Sequence, residues 1–396
     1  MRHTINARFR SILSACSLAA AALGMLGVAG SLVASEPRGQ MLAFFGTYTS
    51  GGKSKGIYSF QLDTASGNLT PLAVTEGIRN PSFLAVHPSG KFLYAVSEVA
   101  DGQGRPSGAV AALAIDRTSG QLTLLNQQSS EGAGPCHVSV DRTGSVLLVA
   151  NYNSGSIASL PILPDGRLDK AASAIQHEGA SVDPRRQTGP HAHSINVSPD
   201  NRFVLVADLG LDQVLVYRLD PTTAKLTPHD PPFARAPPGG GPRHLAFHPT
   251  GKWVYVCNEM LSSVTVFAYD AVNGKLEAVQ TISTLPEPAA GNSTAEILVH
   301  PSGKFVYCSN RGHDSLAIFE VDPANGQLRA VGHQSTLGRT PRNFGLVPDG
   351  SLLVACNQAT DNVVVFKVDS ESGTLTPLGP PTSVPVPVCV KFLTAQ

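Results

Sequence analysis

Between Met41 and Gln396 a unit of roughly fifty residues recurs seven times, and this period constrains the fold more than any other feature. A complete copy reads as an apolar strand, a tight turn such as His87-Pro88-Ser89-Gly90-Lys91, a second strand ending in Asn plus a polar residue, and a third strand leading into an Asp-rich turn. The last turn is the clearest counter. It runs from Asp63 to Gly67 and Leu69, and returns at Asp116/Gly120/Leu122, Asp165/Gly166/Leu168, Asp220/Lys225/Leu226, Asp270/Gly274/Leu276, Asp322/Gly326/Leu328 and Asp369/Gly373/Leu375. One such unit cannot bury both faces of its small sheet, and stacking units around an axis does so. Seven turns imply a seven-bladed β-propeller.

Val214-Leu215-Val216-Tyr217, Val264-Thr265-Val266-Phe267 and Val363-Val364-Val365-Phe366 are rich in β-branched and aromatic residues, and no helical spacing persists after residue 40. The expected class is all-β. The ring must close, and pairing the N-terminal strand Met41-Leu42-Ala43-Phe44-Phe45 with the last blade, which ends at Val388-Cys389-Val390-Lys391-Phe392-Leu393, hides both edges. The propeller then takes up residues 41–396 as one unit, with no linker or second domain.

The first 35 residues differ in kind. Arg2, Arg8 and Arg10 precede an Ala/Leu/Gly/Val run from Leu18 to Gly30, no acidic residue intervenes, and Val33 and Ser35 stand where a signal peptidase cuts. We read 1–35 as a signal peptide and the mature chain as periplasmic or secreted, without stable membrane insertion; the run is shorter than the roughly twenty residues of a spanning helix. Of the five cysteines after it, Cys257, Cys308 and Cys356 share one position in three blades and read as small core residues. Cys136 and Cys389 have no such pattern, and a bridge between them is left open. Net charge is zero, with no basic run interleaved with aromatics, so nucleic acid is not an expected partner. Oligomeric state is not legible.

Repeats supply an internal control. Residues that recur at one register serve the blade, as His87, His248 and His300 do before Pro, and as the series Asn151, Asn258, Asn310 and Asn357 does at strand ends. Residues that vary at a register facing a common cavity are candidates for function. First-strand starts carry Ser82-Phe83, Cys136-His137, His193-Ser194, Arg243-His244, Ala295-Glu296 and Arg342-Asn343; second-strand ends give Glu98, Tyr152, Leu209, Glu259, Arg311 and Gln358. One face therefore gathers His137, His193, Arg243, His244, Glu259, Glu296, Arg311 and Arg342, a set suited to an anionic or carbonyl-rich small molecule. Pro/Gly-rich segments at 176–191, 229–241 and 285–293 enter this face as candidate specificity loops.

No Gly-x-Ser-x-Gly elbow, haem site, zinc helix or Walker loop is present. What remains is acid–base chemistry flanked by guanidiniums, which suits attack of water on an activated cyclic ester. No cofactor or metal is expected: arginine crowding opposes a dication that Glu259, Glu296 and Asp208 would otherwise attract.

Pro190-His191-Ala192-His193, Gly241-Pro242-Arg243-His244 with Asn258-Glu259, Ala295-Glu296-Ile297, Ser309-Asn310-Arg311-Gly312-His313-Asp314-Ser315, Pro341-Arg342-Asn343-Phe344 and Asn357-Gln358 together resemble the seven-bladed propeller lactonases. That family includes propeller-type 6-phosphogluconolactonases and the fungal carboxy-muconate lactonizing enzymes. The resemblance implies a sugar-lactone hydrolase whose catalytic set falls on His193, Glu259, Arg243 and Arg311, with Glu259 or His193 as base. His137, His191, His244, Glu296, Arg342, Asn343 and Gln358 would bind substrate. Two rivals are a muconate-type lactonizing enzyme and a non-enzymatic exported propeller that binds a protein or glycan.

Overall fold

The structure is a computed structural model that describes residues 39–100 and 107–395; the signal-peptide reading of 1–35 lies outside them. The described chain is all-β, in seven antiparallel sheets. Six blades use consecutive strands, innermost first: blade 2 begins at Leu84–Val86, blade 3 at Pro135–Val140, blade 4 at Ala192–Val197, blade 5 at Pro242–Phe247, blade 6 at Ser293–Val299 and blade 7 at Pro341–Leu346. Blade 1 is composite. Its innermost strand, Pro387–Thr394, pairs antiparallel with Gln40–Thr47, from Met41 opposite Thr394 to Thr47 opposite Pro387. The innermost strands contact one another in sequence around the axis, and the last contacts the first. This is the closure expected from the sequence.

The turns that counted the blades have one physical basis. The carboxylates of Asp63, Asp116, Asp270 and Asp369 each accept two backbone N–H groups from the residues two and three positions on. Each turn then docks on a neighbouring blade. The hydroxyls of the buried Tyr94, Tyr255 and Tyr307 donate to the carbonyls of Gly166, Gly326 and Gly373 at 3.0, 3.0 and 2.8 Å. Glycine is required at Gly326 twice over: φ is +73°, and a Cβ would lie 2.4 Å from the Trp253 ring.

Apolar residues bury between blades rather than within them. Phe203, Leu205 and Val216 of blade 4 pack with Val254, Val256 and Phe267 of blade 5, and Tyr307, Leu316 and Ile318 of blade 6 with Phe344, Leu353 and Phe366 of blade 7. This is why no single unit is stable alone. The fourth, outermost strand of each blade, such as Leu69–Thr75 or Lys275–Ser283, is largely exposed, so its sequence carries little apolar signal. One of these corrects a sequence reading. Much of the 229–241 segment belongs to the outer strand Lys225–Arg235, where Pro231 and Pro232 are tolerated on an edge.

All five described cysteines are free and buried, so Cys136 and Cys389 do not form a bridge.

Candidate active site

In blades 3 to 7 the innermost strand opens with a register irregularity: between Pro135 and His137, Ala192 and Ser194, Pro242 and Leu245, Thr294 and Ile297, and Pro341 and Asn343. Inside these interruptions lie Cys136, His193, Arg243 with His244, Ala295 with Glu296, and Arg342. A bulge bends the strand and re-aims side chains that regular pleating would hold against the next strand. Here the bulges bring polar side chains from several blades together at the axis.

Glu259, just beyond the strand Trp253–Asn258, is the electrostatic centre of the outer part. Its Oε2 accepts from Arg243 Nε at 3.0 Å and forms an ion pair with Arg311 Nη2 at 2.9 Å, and its Oε1 accepts from Arg186 Nη2 at 2.8 Å. Burial alone would raise its pKa, but Arg311, Arg243 and Arg186 outweigh that and hold it at about 2. Arg243 is further fixed by donating to the Ala295 carbonyl at 2.5 Å, and Arg311 by donating to the Thr294 carbonyl at 2.8 Å. Arg311 Nε has no protein partner among the described residues.

Below this cluster a chain of rings crosses the axis. Phe83 stacks on His137 at 4.3 Å between centroids, and His244 packs edge-on to both His137 and His193 at 5.3 Å. The tautomer of His244 follows from its partners. Arg243 Nη1, which can only donate, faces Nε2 at 3.3 Å, so the proton sits on Nδ1 and is donated to Glu296 Oε1 at 3.0 Å. Burial, against the opposing pull of Glu296, keeps His244 neutral with a pKa of about 4. Asn343 donates its Nδ2 to the same carboxylate and accepts the Val390 N–H at 2.9 Å. His193 is held well below the usual imidazole range by burial first, then by Arg243, His244 and Arg342. Its Nδ1 lies 3.7 Å from Cys136 Sγ.

An open chamber of about 360 Å³ sits above, lined by Glu98, Cys136, Tyr152, Asn153, Arg186, His193, Glu259, Arg311 and Arg342. A narrow recess continues inward, lined by Tyr48, Ser82, Phe83, Glu98, Cys136, His193, Arg243, His244, Arg342 and Val388. Glu98, Cys136, His193 and Arg342 border both spaces and form the neck between them. A larger groove of about 540 Å³ runs along the turn side, lined by His248, Trp253, Lys304 and Glu371 among others. It holds none of these groups.

The structure thus unites His193, Glu259, Arg243, Arg311, His244 and Arg342 along one path. His137, Glu296 and Asn343 lie beneath as support. His191 backs the chamber wall: its ring stacks on Tyr152 at 4.5 Å and its Nδ1 bonds the Tyr152 carbonyl at 2.9 Å. Gln358 stands apart, in a neighbouring depression with Lys53 and Asp361. Of the three long segments, 176–191 reaches the chamber, through Arg186.

Sequence reasoning left Tyr48, Glu98 and Arg186 out of the site. The Tyr48 hydroxyl donates to Glu98 at 2.9 Å from Oε2 and accepts from Arg342 Nη2 at 3.1 Å, and Ser82 Oγ also donates to Glu98. Glu98 had a signal, since it occupies in blade 2 the strand-end position that Glu259 occupies in blade 5. Tyr48 and Arg186 lie in loops, where no register applies.

The chamber sets three guanidiniums against two carboxylates, a field that favours an anionic or strongly polarised ligand. Among the described residues no three His, Cys, Asp or Glu side chains are grouped to hold a metal ion, and no helix is long and apolar enough to cross a membrane.

Comparison with known proteins bears on the whole ring. The family model described as "Lactonase, 7-bladed beta-propeller" matches residues 42–392. The 6-phosphogluconolactonase of Bacillus subtilis is 42% identical over 354 residues, 89% of this chain and 98% of that protein. The 6-phosphogluconolactonase of Formosa agariphila is 34% identical over 306 residues, 76% of this chain and 85% of that protein. Among solved structures, the periplasmic gluconolactonase of Pseudomonas aeruginosa superposes with a TM-score of 0.83 at 35% identity, covering 90% of this chain and all of the other. On fold, extent and identity, the chain belongs to the seven-bladed β-propeller lactonase family.

Proposed function

We propose that this protein hydrolyses a sugar-derived lactone to its hydroxy acid, with no metal in the reaction. The observation that carries this reading is the neck, where an unprotonated imidazole, a guanidinium and a carboxylate border one passage beneath an arginine-rich chamber. Arg311 and Arg342 hold the carbonyl oxygen as it gains negative charge, in surroundings dry enough for such contacts to count. Arg186, half exposed on its loop, meets the outer part of the substrate.

Of the two candidate bases, Glu259 is the poorer. Both its oxygens are committed to guanidiniums, so protonating it would break three charge-assisted contacts. Its role is to hold Arg243, Arg311 and Arg186 at fixed separations. His193, neutral and open to the neck, orients the attacking water.

The relatives' names span a phosphorylated and an unphosphorylated sugar lactone. The leader-like residues 1–35, together with a periplasmic relative of matching fold, support export and hence an unphosphorylated substrate. The test is pH-stat hydrolysis of gluconolactone and 6-phosphogluconolactone by the mature protein, beside Glu259→Gln and Arg243→Ala, with and without chelator. We expect turnover of gluconolactone, indifferent to chelator and lost in both variants. Rates no faster than buffer with both substrates would remove the lactonase reading.

A further inference from the structure

A cyclic ester opens only if one proton leaves the attacking water and one reaches the departing ring oxygen. His193 is a costly resting place for that proton. Burial first, then the charges of Arg243, His244 and Arg342, disfavour its protonated form, and its described contacts are a thiol and two rings rather than a carboxylate. Glu259 is saturated by three guanidiniums. Glu98 differs from both, because its carboxylate is held by the neutral hydroxyls of Tyr48 and Ser82 and makes no ion pair among the described residues. It borders the chamber and the recess alike.

We propose that Glu98 is the acid–base residue of the reaction, an assignment that rests on the lactonase reading above. Water, oriented by His193, forms a bond from its oxygen to the carbonyl carbon while its proton passes to the Glu98 carboxylate. The carbonyl π electrons move to oxygen, facing Arg342 and Arg311. Collapse restores the carbonyl, breaks the bond to the ring oxygen, and draws the proton from Glu98 onto that oxygen, giving the hydroxy acid and the original carboxylate. The Tyr48 hydroxyl, braced by Arg342, keeps Glu98 aimed at the neck.

The groups facing Glu98 are Tyr48, Ser82, Arg342, His193 and Cys136. With gluconolactone as probe, Glu98→Gln should lower kcat by about 100-fold or more with little change in KM and an unaltered melting curve. Tyr48→Phe should lower kcat by about tenfold with little change in KM, because Glu98 loses the donor that aims it at the neck. His193→Gln, whose side-chain amide can still hold a water, should cost less in kcat than Glu98→Gln.

Folded Glu98→Gln with kcat within about threefold of the wild type would overturn the assignment and leave the lactonase reading standing. So would a larger loss of kcat in His193→Gln than in Glu98→Gln, which would make the imidazole the acceptor. If Glu98→Gln does not fold, Tyr48→Phe decides: a kcat within about twofold of the wild type overturns the proposal. A wild-type protein that opens neither lactone overturns the reading and this assignment together.

Discussion

The two sides of the ring use histidine in opposite ways. On the turn side, His87, His248 and His300 do one job three times. Each sets Nδ1 against a Ser or Thr hydroxyl two residues on and Nε2 against a glycine carbonyl of the next blade, at 2.8, 3.0 and 3.1 Å. On the axial side, His137, His193 and His244 come from neighbouring register positions, yet no two share a set of partners. One stacks on Phe83, one faces the neck, and one bridges Arg243 and Glu296. Repetition marks what each blade needs in order to join the next. Divergence marks what the ring as a whole does.

The sharpest way to break this contrast is at the axial side. Arg311→Met should lower kcat/KM by about 100-fold or more while the melting temperature changes little, since Glu259 keeps Arg186 and Arg243. Steady-state kinetics on gluconolactone checks it; a loss smaller than threefold or so would reduce Arg311 to packing.

The next test is acid stability. His137, His193 and His244 are neutral in the fold, well below 6.5 or, for His244, at about 4, whereas the unfolded chain takes up protons near 6.5. Stability held above pH 6.5 is therefore lost as pH falls toward 4, before Glu259 begins to lose its contribution between 4.5 and about 2. His244→Gln should flatten the upper step by up to about 1.4 kcal/mol per pH unit, read from denaturant unfolding at several pH values. An unchanged slope would mean that His244 is charged in the fold.

The smallest effect belongs to the turn side. His248→Ala should cost about 1–2 kcal/mol in unfolding free energy and leave kcat/KM unchanged. A kinetic defect without a stability defect would blur the division between the faces.

Legibility in the sequence follows the same division. The seven turns could be counted because each opens with an Asp carboxylate that caps one or two of the following amides, and in four of them the glycine that follows is pinned by a neighbouring aromatic: Gly166 by Phe92, Gly274 by Phe203, Gly326 by Trp253 and Gly373 by Phe305. Outer strands such as Leu69–Thr75 were faint because their side chains meet water. Arg311 and Glu259 were found through strand register, which places residues reliably where pleating is regular; Arg243 was found the same way although it lies inside a bulge. The bulges decide which of two adjacent residues points to the axis, and register cannot show this. Arg342 and Asn343 are neighbours in sequence, but one borders the neck and the other braces Glu296 below. Tyr48 was invisible for a different reason. Its partner Arg342 lies 294 residues away, brought to it by ring closure alone.

That closure links hydrolysis to the order in which the chain is made. Val388 of the composite blade borders the recess, Val390 is anchored by Asn343, and the Lys391 ammonium sits 4.8 Å over the Phe83 ring. A nascent chain that has emitted blades 2 through 6 already carries Glu98, His193, Arg243, Glu259 and Arg311, but the pocket that joins them still lacks Arg342 and the wall supplied by Pro387–Thr394. Turnover should therefore appear in a single late step of synthesis, which makes the enzyme a reporter of its own completed circle.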